Sequence, residues 1–421
     1  MPRPGLLALA LAVLGLTVAP AAARQTEVVV GLLYPLTGPM AWAGIDERHV
    51  FELFADMVNG KEAMPPGAFY QNLQGLRGVG GGARLRLVFV DHQGKPDLGQ
   101  SEAERLILQE KVHALIGAGD SSVTATTSQV AERFAVPFLT ADADSPRLTR
   151  RGFQWLFRTS PHDEHTGQAL FDFMADLRKT RGAKLERVAI TYEASASGAD
   201  LAKMQRTLAA KYGYTIVADF PYRTSPAPPS AEVQMLKQAN PDVWLPTLHP
   251  SDAARFTRTA KELDWSPRLV LARTTDPVDP SAGPAGRDAD GFLSSSSFPS
   301  DRIDQNAVAK ALNGPYRARA GKDLYDLPAR AFTGIATLVD AINRAGSTEP
   351  EAVRKALAHT DVKPADLLVP GTGVRFDESG QNTGVRVTVA QLQGGTYRTV
   401  WPFELATREL LYPIPTWSGR K

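Results

Sequence analysis

The chain has 421 residues, 47 Lys+Arg against 45 Asp+Glu, and no cysteine. A charge balance this close to neutral makes it a poor partner for polyanions, which argues against nucleic acid and acidic membrane surfaces. The missing cysteine excludes a disulfide framework, thiol catalysis, cysteine metal sites and a lipidated cysteine anchor.

Residues 1–23 carry a lone Arg3, an apolar run from Leu6 to Val18, and Ala21-Ala22-Ala23. That pattern predicts a secretory signal peptide with an A-x-A cleavage site. No later apolar run approaches the ~20 residues needed to span a bilayer, so the expectation is a freely soluble, non-lipidated periplasmic protein. The length predicts two domains of roughly 150–200 residues each.

Val28–Leu33 reads as a buried strand running into the turn Tyr34–Pro39. Val50, Phe54 and Met57 have helical spacing, closed by Asn59-Gly60. Met64 to Gly82, rich in Gly and Pro, reads as a surface insertion. Leu85, Leu87 and Phe89 make the next strand, ending at Asp91. Ser101 and Glu104 are spaced as a capping pair that opens a helix at Leu106. Val112–Ile116 is a strand, Val123 to Phe134 a helix, and Val136–Thr140 another strand. After a polar joint, Val188–Tyr192, a helix from Leu201 to Tyr212, Val243–Leu245, a helix through Phe256 and Leu263, and Leu269–Leu271 repeat the unit. This strand–helix alternation predicts an α/β fold of doubly wound parallel sheets with helices on both faces. Further on, Phe332, Ile335, Val339 and Ile342 mark one strong helix. Thr348 to Glu351 has capping spacing and starts another, and Val385–Leu392 alternates like a strand. The Pro-rich tail from Pro402 reads as irregular.

Open parallel sheets bind ligands beyond the carboxyl ends of their strands, and three such loops carry suitable groups. In Gly117–Ser122 the free N–H groups of a helix start and the Ser121 and Ser122 hydroxyls suit an oxygen acceptor; the same residues also suit a plain helix cap. In Thr140–Pro146, Asp142 and Asp144 could receive an ammonium, a hydroxyl or a cation, or be ordinary turn acids. Tyr192–Gly198 is small and polar ahead of a helix and reads either as a site loop or as a flexible turn plus cap. His162 and His165 lie three apart without a metal-protease spacing, and Ser160-Pro161 before them reads as a cap and first turn. Asp377–Gly384 lacks calcium-loop spacing and reads as a hairpin turn. There is no G-x-S-x-G elbow and no P-loop lysine motif. The expectation is therefore no metal, no cofactor and no catalysis, with a hydrolase built on Asp142 and Asp144 as the weakest reading.

Taken in order, Val30–Pro39, Leu106–Ser122, Val136–Leu139, Phe157–Ser160, Ala341–Gly346 and Phe376–Gly380 resemble the leucine/isoleucine/valine-binding family of ABC-transporter substrate receptors, the branched-chain amino acid and amide type. The resemblance covers nearly all of residues 27–401. It implies the type I periplasmic binding fold, two lobes joined by three chain crossings. The expected boundaries are residues 24–158 and 299–385 for one lobe, 159–298 and 386–405 for the other, and 406–421 for a tail. It also implies a ligand site made of Asp120, Ser121 and Ser122 (carboxylate-holding donors), the loop Asp142, Ala143 and Asp144, Trp42 as an aromatic neighbour, and Ser197 and His249 on the second lobe. Relatives that bind amino acids present an acid on the second lobe where this chain has Arg273, with Asp276 close by. An arginine there favours a carboxylate, so an organic acid, an amide or another oxygen-rich solute is expected. The implied partners are a small-molecule ligand and ABC permease subunits, with the receptor itself a monomer. Ligand sensing for a separate membrane signalling protein is the alternative.

Overall fold

The computed structural model describes residues 26–248, 250–272 and 286–420; the expected signal peptide, His249, Arg273 and Asp276 lie outside them. The chain runs β1 (Thr26–Tyr34), α1 (Ala41–Val58), α2 (Ala68–Gln71), β2 (Ala83–Asp91), α3 (Pro96–Leu108), β3 (Ala114–Gly117), α4 (Ser121–Phe134), β4 (Phe138–Thr140) and β5 (Leu156–Arg158). There follow α5 (Asp163–Arg181), β6 (Arg187–Glu193), α6 (Ala196–Lys211), β7 (Thr215–Tyr222), α7 (Ser230–Ala239), β8 (Val243–Thr247), α8 (Pro250–Glu262), β9 (Leu269–Ala272) and β10 (Leu293–Ser296). The last third is α9 (Ala307–Ala320), α10 (Asp326–Ala345), α11 (Pro350–Ala358), β11 (Thr388–Gln393) and β12 (Thr396–Trp401).

These strands form two separate sheets. One is wholly parallel in the order β2-β1-β3-β4-β5. The other has the order β12-β11-β10-β9-β8-β6-β7, with β11 antiparallel to both neighbours and β6 to β10 parallel. β1 is apolar from Val28 onward because both its faces are covered there: Val28, Val30, Leu32 and Tyr34 enter one core and Val29 and Leu33 the other. Gly31 has to be small, since a Cβ there would meet Leu115 Cδ2 at 2.8 Å and Leu106 Cδ1 at 2.9 Å. In each sheet the strand order reverses once, at β1/β3 in the first and β6/β8 in the second. The carboxyl ends at those reversals are the natural crevices of such sheets.

The chain crosses between the units three times. β6 to β10 build the second sheet, α9 to α11 return to pack with α1 in the core of the first, and β11 and β12 finish the second. α10 is the central helix of the first unit. Phe332 stacks edge-on against Phe54 at 5.4 Å and lies 5.7 Å from Tyr70. Gly334 lets α10 come close to the end of β4, because a Cβ there would meet Ala141 Cβ at 2.9 Å.

Several expectations need correction. Met64–Gly82 is not a surface insertion: Tyr70, Leu73 and Leu76 are buried in the main core, and the Tyr70 hydroxyl donates to Asp366 O at 2.6 Å. Its Gly and Pro residues shape turns while its spaced apolar residues point inward. The helix expected to open near Ser101 starts at Pro96, and the Ser101 hydroxyl donates to Leu98 O. α11 has Glu349, not Thr348, at its cap position. The strand expected from Val385 begins at Thr388, and the tail, though irregular, buries Leu410 and Ile414 in the second unit. The cap of α5, expected at Ser160-Pro161, is His162, and the reading passed over β5, β7, α7, β10, α9 and β12. β7 is an edge strand with weak burial, and β5 is three residues long.

Replacing Leu73 by Ala should cost about 2–5 kcal/mol in equilibrium urea unfolding. A change within about 0.5 kcal/mol would return the 64–82 segment to the surface.

Candidate functional site

At the β1/β3 reversal, β3 ends in Gly117 and α4 begins at Ser121. Asp120 is the cap of α4: its carboxylate accepts from Ser122 N at 2.7 Å, from Val123 N at 3.2 Å and from the Ser122 hydroxyl at 2.5 Å. Asp120 and Ser122 thus satisfy the helix start between themselves, as a cap does. The Ser121 oxygen instead accepts from Ser145 N at 3.1 Å, which ties α4 to the loop after β4 and leaves the hydroxyl proton to donate.

That loop holds the second group of expected residues, and the structure separates the two acids. Asp142 is 5% exposed and turned into the protein, where it accepts the Tyr34 hydroxyl at 2.9 Å and lies against Glu47, itself 2% exposed. Asp144 is half-buried and paired with Arg330 at 2.7 Å. Ala143 is buried, and its carbonyl accepts from Arg158 at 3.0 Å. Trp42, in the first turn of α1, is half-buried. On the other unit Ser197 is exposed in the first turn of α6, capped by Ser195, whose hydroxyl oxygen accepts from Gly198 N. Nearby, Thr247 ends β8 with a buried hydroxyl that has no hydrogen-bond partner among the described residues.

Two arginines that the sequence reading missed organise the loop. Arg330 of α10 donates to Ala141 O at 2.9 Å, Asp142 O at 3.0 Å and Asp144, with Asp326 at 3.5 Å on its other side. Burial works against its charge, but Asp144, Asp326 and Asp142 together outweigh that and raise its pKa. Arg158 of β5 is fully buried and donates to Ala143 O, Ser145 O at 2.7 Å, Thr149 Oγ1 and Gln381 Oε1 at 2.6 Å. Burial pulls its pKa down to about 10, still cationic at neutral pH. A charged residue inside the apolar run of α10 was the available signal for Arg330. Glu47 also lies on the stripe of Val50, Phe51 and Phe54.

The two units meet at these loops. Arg147, past β4, pairs with Asp200 of α6 at 2.8 Å; Asp163 N donates to Asp144 O at 2.9 Å; and Arg150 forks onto Glu164 of α5 at 2.8 and 2.5 Å. The His162–His165 pair sits here as a capping box for α5, the two rings stacked 3.8 Å apart and each Nδ1 accepting a backbone N–H. Burial, reinforced by His165, pushes His162 down to about 3.

Two doubly wound sheets, crossed three times by the chain and joined by the Arg147–Asp200 pair between the loop after β4 and α6, define the type I periplasmic binding fold. Residues 27–396 match the periplasmic binding protein family, and the chain belongs to that family. It is 26% identical over 97% of its length to a Leu/Ile/Val-binding protein homolog of Brucella abortus, 99% of which is covered. Its fold is similar to a leucine binding protein of Thermotoga maritima (TM-score 0.71, 23% identity, 90% of this chain and 100% of that one). It is also similar to a solute binding protein of Rhodopseudomonas palustris in complex with 3,4-dihydroxybenzoic acid (TM-score 0.72, 17% identity, 93% and 98%).

Replacing Arg330 by Met should cost about 3–5 kcal/mol in urea unfolding, because it leaves buried carbonyls and Asp144 without their charge partner. The His162 pair makes a second expectation. The neutral ring is the native acceptor, so its stabilisation is complete above the ordinary histidine pKa of about 6.5 and is lost as pH falls toward 3. His162→Asn keeps an acceptor without the titration and should flatten the melting temperature between pH 6.5 and 4; an unchanged acid slope would exclude this pair as its source.

Proposed function

We propose that this protein is an extracytoplasmic solute receptor. It traps one small polar metabolite between its lobes and presents the closed form to an ABC importer. The supporting observation is the Arg147–Asp200 pair, which joins the second unit's α6 to the loop after β4, the loop whose Ser145 N–H donates to Ser121. In this reading lobe one is residues 24–158 and 299–385, lobe two is 159–298 and 386–405, and residues 1–23 are removed on export. The receptor acts as a monomer and catalyses no reaction.

Ser121, the α4 N-terminus and the main chain of 141–144 form one jaw, with Trp42 adding apolar area. Ser197, His249 and Arg273 belong to the other. Asp142 contributes through its backbone, because its carboxyl is already engaged inside the lobe, and Asp120 contributes by holding α4. The ligand class is amino-acid-like, amide or organic acid; the relatives bind leucine-type amino acids in some cases and an aromatic acid in another. Ligand stabilises the closed arrangement by its greater affinity for it.

Isothermal titration with leucine, isoleucine, benzoate, 3,4-dihydroxybenzoate and small dicarboxylates tests the proposal, alongside native mass spectrometry of solute retained through purification. At least one should bind stoichiometrically without turnover. Ser121→Ala should weaken that binding about tenfold or more, by loss of one charge-assisted donor. No binding across the panel together with no retained solute would remove the receptor reading.

A further inference from the structure

Beneath the loop that carries Asp144, two carboxyl groups from distant parts of the chain are buried together. Glu47 comes from the second turn of α1 and Asp142 from just past β4; both are more than nine-tenths buried. Each keeps one oxygen, Glu47 Oε1 and Asp142 Oδ1, with no hydrogen-bond partner among the described residues. Asp142 Oδ2 takes the single proton that Tyr34 of β1 has to offer. Arg330 is the nearby cation, but its N–H groups are committed to Ala141 O, Asp142 O and Asp144, with Asp326 also in reach. Asp46, next to Glu47, is occupied by Lys322 at 2.5 Å and by the Tyr325 hydroxyl, while Tyr316 of α9 faces the same cluster. Two ionised carboxylates in contact here would carry like charge in a low-dielectric interior, with too little opposite charge left to balance it.

We propose that Glu47 and Asp142 hold one proton between them, and that this shared proton makes Glu47 a positioning residue of the ligand site, locking α1 to the loop that presents Asp144. The consequence for binding rests on the receptor reading above; the shared proton does not. Burial first, then Asp142, raises the pKa of Glu47 well above the ordinary range, while burial raises Asp142 to about 6 against the pull of Arg330, Tyr34 and Glu47. Tyr34 is raised too, by burial and then by Asp142, so its hydroxyl remains a donor. α1 carries Trp42 on its first turn. The shared proton therefore joins two segments of the same jaw that no other hydrogen bond between α1 and residues 141–145 connects among the described residues.

The sign of the pH dependence follows from linkage. In the unfolded chain both carboxyls ionise at ordinary values of about 4, whereas the native pair keeps a proton well above that. The native state therefore binds more protons, and stability falls as pH rises until the pair finally ionises. Glu47→Gln replaces the shared proton with a permanent amide donor.

Thermal melting of the ligand-free full chain from pH 5 to 9 should show Glu47→Gln gaining on the natural protein by about 1.5–2 °C per pH unit. The infrared spectrum of the natural protein at neutral pH should contain a protonated-carboxyl C=O stretch that this variant lacks. Hydrogen exchange, corrected for the intrinsic effect of pH, should show residues 41–47 and 141–146 loosening together at alkaline pH in the natural protein and staying protected in Glu47→Gln. Parallel melting profiles, or an infrared band unaffected by the variant, would overturn the shared proton. Exchange that does not change in the two segments would overturn the positioning role. All three readouts are free of ligand, so a failed titration with solutes would remove the receptor reading while leaving them intact.

Discussion

The loop after β4 is held from two sides by buried guanidinium groups. Arg330 reaches it from α10 and Arg158 from β5, and together they take the carbonyls of Ala141, Asp142, Ala143 and Ser145. Each side of this arrangement requires the other. Buried carbonyls without donors cost free energy, and a buried guanidinium without acceptors costs more. Gly334 completes the arrangement by letting α10 lie close enough for Arg330 to reach. A loop that would otherwise be the most variable part of the sheet edge becomes part of the core.

Arg158 also sits where the chain first leaves the sheet. Its main chain pairs with the returning segment at Gly380 and Asn382, and its side chain bonds Gln381. Gln381 and Asn382 in turn donate to Ser160 O and Thr159 O. Two of the three crossings are thus knitted together at the same residue that holds the candidate site loop.

Much of the architecture was legible because buried parallel strands must be apolar on both faces. Val28–Leu33, Val243–Leu245 and Leu269–Leu271 announce themselves in that way, as does the long apolar stripe of α10. β5 and β7 were not legible, one being too short for any periodicity and the other an edge strand with little apolar content. The segment 64–82 misled for a related reason. Its glycines and prolines signal turns, and nothing local says that Tyr70, Leu73 and Leu76 between them face a helix arriving from position 326 onward.

The site divides along the same line. Local rules placed Ser121, Asp142 and Asp144 on strand-end loops, and Asp120 was readable as a cap from its position alone. Whether an acid on such a loop turns outward or inward is settled by what stands behind it. Asp142 turns in because Tyr34 and Glu47 wait there, and Asp144 is held by a guanidinium 186 residues further along the chain. Sequence by itself determined the alternation of strands and helices, the loops that end the strands, and the family. Only the tertiary structure decided which acid turns inward and which pairs with a cation, because that depends on burial and on partners brought from far along the chain.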